Sequence, residues 1–258
     1  MSKRMVGYVT ITASLLCLLW LIGLGWAVQE YYAGKPEEMP KTVKTAKEPK
    51  NKKALTVVAL GDSLTRGTGD ETGKGYVGDL VDEIKDKTKQ PVQLTNLGIN
   101  GQRSTQLKKQ IQQTEVGRQL ETADVILLTI GGNDLFRGGQ GLVDFETDKI
   151  AAIEKQYLQN IKFIFTEIRK HNQNATVFFI GLYNPFIELD RGKDISKVIR
   201  QWNYQSAEIS ADYPKIVFVP TFDLFELKVN DYLYSDKFHP NKEGYRLIAE
   251  RVASLLTW

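Results

Sequence analysis

Apolar and polar positions divide the chain into three parts. From Met5 to Val28 the sequence is almost wholly apolar over 24 residues, MVGYVTITASLLCLLWLIGLGWAV. Residues 35–53, KPEEMPKTVKTAKEPKNKK, hold three prolines and scarcely any large apolar side chain. Beyond them, five short runs rich in β-branched and aromatic residues recur: Ala54–Leu60, Val92–Leu97, Val125–Ile130, Ala175–Leu182 and Lys215–Pro220. Most are apolar at successive positions, as expected of strands buried between layers of helix.

Helical patterns lie between these runs. Asp148–Lys170 sets Ile150, Ile153, Tyr157, Ile161, Ile164 and Ile168 three and four residues apart, an amphipathic stripe. Tyr76–Lys87, Ser104–Glu115 and Ile195–Ser210 are weaker candidates, and Asn241–Leu256 carries Tyr245, Ile248, Val252 and Leu255 on one face. Alternating strands and helices predict an α/β fold, a five-stranded parallel sheet with helices on both sides. The expected divisions are an N-terminal segment over 1–28, a linker over 29–53 and one domain over 54–258.

The apolar run is long enough for a transmembrane helix, which needs about 20 residues, and exceeds the apolar stretch of about 7–15 in a cleaved signal peptide. Gly25-Trp26-Ala27 resembles a small-x-small cleavage site, so secretion stays open beside an uncleaved anchor. A lipoprotein reading is weak because Leu16 stands before Cys17, where a small residue is expected. Lys3 and Arg4 abut the run on one side, while no Lys or Arg precedes Lys35 on the other. That asymmetry predicts a cytoplasmic N-terminus and an extracellular domain. Residues 35–53 cannot bury enough surface to offset ordering entropy and are expected to form a flexible tether.

Charge sharpens the division. The net charge of +3 conceals +4 on residues 35–53 and −2 on the 205 residues that follow. The domain is therefore mildly acidic, and no nucleic-acid partner is implied. One cysteine excludes an intramolecular disulfide, and two histidines leave little from which to build a zinc site.

Four polar clusters follow the predicted strands. Gly61-Asp62-Ser63 follows the first, Gly98-Ile99-Asn100-Gly101 the second, Gly131-Gly132-Asn133-Asp134 the third, and Asp236-Lys237-Phe238-His239 comes after the fifth. In an open α/β sheet, sites form beyond the carboxyl ends of the strands, so the four converge on one edge. Asp236 three residues before His239 can fix the imidazole tautomer, leaving the other nitrogen as a base for the Ser63 hydroxyl. The backbone N–H groups of Ser63 and Gly98 and the Asn133 amide can supply an oxyanion hole. At Gly98, absence of a Cβ is expected to let substrate approach the backbone. Asp134 is expected to shape its loop, and His171 to be a solvated residue favoured by a helix C-terminus. Singly, each cluster is most simply a turn or a cap. Their order after successive strands gives them weight.

These residues resemble the SGNH or GDSL hydrolases, on the branch of bacterial thioesterase/lysophospholipase-like esterases. The likeness rests on Gly61-Asp62-Ser63-Leu64, Gly98 within Asn96-Leu97-Gly98-Ile99-Asn100-Gly101, Gly131-Gly132-Asn133-Asp134 and Asp236-x-x-His239-Pro240-Asn241. It spans Ala54 to Trp258 and implies a three-layer flavodoxin-like fold with no metal or organic cofactor. It also implies Ser63 as nucleophile, His239 as base, Asp236 as its partner, and Ser63, Gly98 and Asn133 as oxyanion donors. Rival motifs fail on spelling. Gly61-Asp62-Ser63-Leu64-Thr65 ends in Thr where an α/β-hydrolase elbow has Gly, and Thr68 stands where a P-loop ending at Gly73-Lys74 has its first Gly.

The expected function is a membrane-tethered serine esterase cleaving lipid-like or small acyl esters through an acyl-enzyme. O-acetyl esterase action on wall glycans and a silent binding protein on the same fold are the alternatives. Leu135-Phe136-Arg137, Tyr183-Asn184-Pro185-Phe186 and Phe222–Tyr234 are candidate pocket walls. Thr65–Gly78 and Gly138–Asp148 are expected to be mobile and to gate access.

Overall fold

The computed structural model describes residues 3–33, 54–136 and 147–256, in two units divided between Asn51 and Lys52. Among its described residues the first unit contains one helix, α1 (Lys3–Ala33). Among the described residues no helix is long and apolar enough to cross a membrane. The transmembrane helix expected within 1–28 is not found among the described residues. Most of the 29–53 linker, from 34 onward, lies outside the described residues, as do Arg137 and the 138–146 part of the expected gate.

The second unit is built on five parallel strands: β1 (Leu55–Gly61), β2 (Val92–Asn96), β3 (Val125–Thr129), β4 (Thr176–Ile180) and β5 (Ile216–Val219). They stand in the order β2-β1-β3-β4-β5. Period-two alternation assigns their side chains to two cores. Val58, Leu60, Ile126, Leu128, Val177 and Phe179 face one; Val57, Ala59, Val125, Leu127, Phe178 and Ile180 face the other.

Against the first core pack α4 (Ser104–Gln110), α5 (Thr114–Thr122), α7 (Thr147–His171) and α8 (Gly192–Ala211). Against the second pack α3 (Gly75–Thr88), α9 (Phe222–Glu226), α10 (Val229–Tyr232) and α11 (Lys242–Ala253). Two short helices sit at strand ends, α2 (Ser63–Arg66) after β1 and α6 (Gly132–Phe136) after β3. Three layers result, as the sequence predicts.

Three local expectations are corrected. Ser104–Glu115 is not one helix: Ile111 turns inward and is fully buried, Gln113 is extended, and α5 starts a new axis that buries Val116 and Leu120. Leu255 lies beyond the end of α11 and is 41% exposed, so it does not share the buried face of Tyr245, Ile248 and Val252. β2 is an edge strand with Gln93 and Leu94 exposed, rather than apolar on two buried faces.

Candidate active site

β1 and β3 are neighbours whose onward connections leave on opposite faces of the sheet, through α3 and α7 respectively. A crevice opens at their carboxyl ends, where such folds bind ligands. Ser63 stands at the mouth of this crevice because of what surrounds β1. Gly61 ends the strand at φ +135°, and a Cβ there would lie 2.0 Å from the Thr129 carbonyl oxygen, so only glycine fits. Asp62 caps α2 by accepting from the Leu64 N–H at 3.1 Å and from the Thr129 hydroxyl at 2.8 Å. The Thr65 hydroxyl lies 2.7 Å from Thr129 Oγ1 and 3.1 Å from the Tyr76 hydroxyl, and donates to the Leu60 carbonyl at 3.1 Å. Ser63 begins the helix, so its N–H lacks an intrahelical acceptor, and no partner for it occurs among the described residues.

His239 arrives on a loop after α10. Leu233 and Pro240 form an antiparallel bridge, and the Tyr234 N–H donates to the His239 carbonyl at 2.8 Å. Asp236 Oδ1 accepts from the Phe238 and His239 N–H groups at 3.0 Å each. Its second oxygen lies 2.7 Å from His239 Nδ1, and His239 Nε2 lies 2.8 Å from Ser63 Oγ. With Nδ1–H donating to the carboxylate, Nε2 is left to accept the serine proton. Burial pushes the Asp236 carboxyl up, but hydrogen bonds from the His239 ring and the two backbone N–H groups outweigh it and hold it below the ordinary carboxylate value. The Tyr183 hydroxyl adds an outside brace, donating to the Phe238 carbonyl at 2.5 Å.

The expected oxyanion donors differ in availability. Asn133 lies in α6, and one of its amide protons goes to the Gln102 carbonyl at 3.1 Å, leaving the other free of that bond. Gly131, at φ +119°, seats this loop on Tyr157 and Trp202: a Cβ would come within 2.8 Å of one ring and 3.1 Å of the indole nitrogen. Asp134 is buried and accepts from the Ser104 hydroxyl at 2.6 Å and its N–H at 2.9 Å, which ties the β3 loop to the start of α4. The Asn160 amide donates to the same hydroxyl at 2.9 Å. Asp134 shapes the loop, as expected. The Gly98 N–H, by contrast, already donates to Asn96 Oδ1 at 3.0 Å. The space a Gly98 Cβ would fill is taken by Arg66 N and the Thr65 methyl, both at 2.9 Å. Glycine is needed there for packing against α2, and the expectation of a close substrate approach is corrected.

Other expectations divide. Thr65–Gly78 is pinned: Asp70 accepts from the N–H groups of Thr72 and Gly75, and the Tyr245 hydroxyl donates to the Thr68 carbonyl at 2.6 Å. His171 covers Gly117, where a Cβ would stand 2.6 Å from the ring, so it packs rather than being simply solvated. Phe136, Tyr183 and Pro185 line a cavity beside Ser63 and Asn133, whereas Phe222 and Phe225 are buried in the cores. Residue-type patterns missed Thr65, Thr129 and the brace from Tyr183. The visible signal for Thr129 was one hydroxyl ending an otherwise apolar strand.

The likenesses to known proteins set this three-layer α/β fold, with Ser63, His239 and Asp236 at the carboxyl edge of its sheet, in the class of carboxylic ester hydrolases. The chain belongs to the GDSL-like Lipase/Acylhydrolase family, whose profile matches residues 59–247. It is 37% identical over 214 residues to the uncharacterized protein YpmR of Bacillus subtilis (strain 168), covering 80% of this chain and 83% of that protein. It is 26% identical over 207 residues to the spore germination lipase LipC of Bacillus licheniformis, covering 77% and 94%. Among solved structures, the lipase Lip_vut3 from a goat rumen metagenome superposes with a TM-score of 0.70 at 25% identity, covering 78% of this chain and 97% of that one.

Proposed function

We propose that the protein is a serine esterase with Ser63 as nucleophile, His239 as general base and acid, and Asp236 orienting the imidazole. Ser63 Oγ bonds to the ester carbonyl carbon while its proton passes to His239 Nε2. The alkoxy C–O bond then breaks, and the leaving alkoxide takes that proton. Water attacks the acyl-enzyme, giving its proton to the same nitrogen and its hydroxyl to the acyl group. Ser63 recovers its proton as the acid departs. The Ser63 N–H and the second Asn133 amide proton receive the oxyanion, joined by the Gly98 N–H once it is shared with or released from Asn96.

The observation that carries this reading is the unbroken chain Asp236 Oδ2–His239 Nδ1 at 2.7 Å and His239 Nε2–Ser63 Oγ at 2.8 Å. Ser63, 4% exposed, borders the cavity at the end of that chain. A serine-directed phosphonate should label Ser63, and Ser63→Ala should remove both the label and hydrolysis of nitrophenyl esters. Undiminished hydrolysis by Ser63→Ala would sink the assignment.

We further propose that residues 5–28 anchor the chain with its N-terminus inside and the esterase domain on the outer face. The support is the 24-residue apolar run, with Lys3 and Arg4 directly before it. The chain should stay with membranes through alkaline carbonate extraction, and protease added to intact cells should reach the domain. Recovery of a shortened chain from the medium would mean instead that the segment is cleaved.

A further inference from the structure

Given the serine-esterase reading above, the cavity beside Ser63 discriminates among the acids an ester can carry. It offers about 30 Å³ of room and is partly open to solvent. A water-sized position needs about 10–15 Å³, so the cavity has room for about two or three non-hydrogen atoms. Ser63 and Asn133 border it, and Ile130, Phe136, Leu182 and Phe238 supply carbon walls. The acyl chain is the part of the ester that fits such a place. The carbonyl carbon must lie between Ser63 Oγ and the Asn133 amide, while the leaving oxygen must lie at His239 Nε2, and His239 is not part of the lining.

Phe136 and Phe238 meet edge to face, centroids 5.9 Å apart at 88°. Each also packs on Phe186, at 5.2 Å and 75° for Phe136 and at 5.9 Å and 37° for Phe238. Each ring of this triangle is therefore fixed by two others. Phe136 is 3% exposed, and Phe238 directly precedes His239 with its carbonyl held by the Tyr183 hydroxyl. Swinging Phe238 aside to admit a longer chain would move the base.

We propose that this cavity receives the acyl chain and that its wall of Phe136 and Phe238, braced from behind by Phe186, limits it to acids of about two to four carbons. The substrates are esters of short-chain acids, and long-chain acyl lipids are excluded. Forcing one methylene into a pocket it does not fit costs about 10–200-fold in discrimination.

The test uses the full chain and the nitrophenyl esters of acetate, butyrate and octanoate. We expect kcat/KM for butyrate to exceed that for octanoate by about 100-fold or more. Phe136→Ala and Phe238→Ala should each raise the octanoate-to-butyrate ratio about tenfold or more, with Phe136→Leu as a milder variant should Phe136→Ala fold poorly. The ratio is taken within one preparation, so loss of folded protein or displacement of His239 cancels. Octanoate cleaved as well as butyrate by the wild type, or ratios unmoved in the folded variants, overturns the chain-length wall while leaving the esterase intact. No hydrolysis of any ester, with Ser63 unlabelled by phosphonate, removes the esterase reading and this inference together.

Discussion

Ser63 and His239 meet at 2.8 Å, yet they are held by different means. Ser63 stands at the end of a central strand, over a buried chain of hydroxyls running from Tyr76 through Thr65 and Thr129 to Asp62. His239 stands on a surface loop where Asp236 and Lys237 are exposed, held by backbone bonds within the turn and by the brace from Tyr183. Ser63, the proposed nucleophile, takes its position from the core, and His239, the proposed base, takes its own from its turn. Substitutions at the two places should therefore separate stability from activity.

The largest effects break the base side. His239→Ala should lower kcat by about 10⁶-fold, as loss of one triad member does elsewhere. Asp236→Asn should lower it by about 10⁴-fold, because the amide keeps an oxygen for the two turn N–H groups but favours the wrong imidazole tautomer. Neither should shift the unfolding midpoint by more than about 2 °C in a domain this size. A large fall in midpoint for either would show that the base loop, too, is part of the core. Next is Asn133→Ala, which should reduce kcat by about 10²–10³-fold with KM little changed, if the amide proton not held by the Gln102 carbonyl meets only the developing oxyanion. Unchanged turnover would remove Asn133 from the hole.

The same contrast explains what could be read from sequence. Strands β1, β3 and β4 are legible because each is buried on both faces and so apolar at successive positions, and the site is legible where its residues follow those strands. The seat of Ser63 is not, because it depends on contacts across the chain: Thr129 and Asp62 are 67 positions apart, Thr65 and Thr129 are 64 apart. Gly98 shows the limit from the other side. A glycine in a loop near a site suggests room for a substrate, but here the room is filled by Thr65 and Arg66, which no local pattern could reveal. Glycine-rich Thr65–Gly78 suggests motion, yet its turns are closed by Asp70 and Tyr245.

A smaller effect sharpens the nucleophile side. Burial pushes the Asp62 carboxyl above its ordinary value, and bonds from Thr129 and the Leu64 N–H only partly offset this. Ionising Asp62 thus costs the folded state, and wild-type stability should fall as pH rises from the ordinary carboxylate value through the raised one. Asp62→Asn retains a capping oxygen and removes the charge. The two proteins should unfold alike in acid, and the variant should be the more stable of the two at neutral pH. A midpoint difference that does not grow with pH would show that the carboxylate is no burden to the fold.

The smallest expected effect joins the two sides. Tyr183 is 5% exposed, stacks on Phe225 at 4.2 Å and 21°, and donates to the carbonyl that precedes His239. Burial pushes its hydroxyl well above the ordinary phenol value, so it remains a neutral donor through any assay near neutrality. Tyr183→Phe deletes that one bond while keeping the stacked ring and the cavity wall. Net loss of a neutral hydrogen bond is about 1 kcal/mol, or about 2–4 °C here. If the turn alone sets His239, kcat should fall no more than about tenfold and KM should hold, since the bonds from Asp236 and Tyr234 survive. A fall of about 100-fold with the same small change in midpoint would mean that the base, like the nucleophile, takes its position from the core, with Tyr183 as the link.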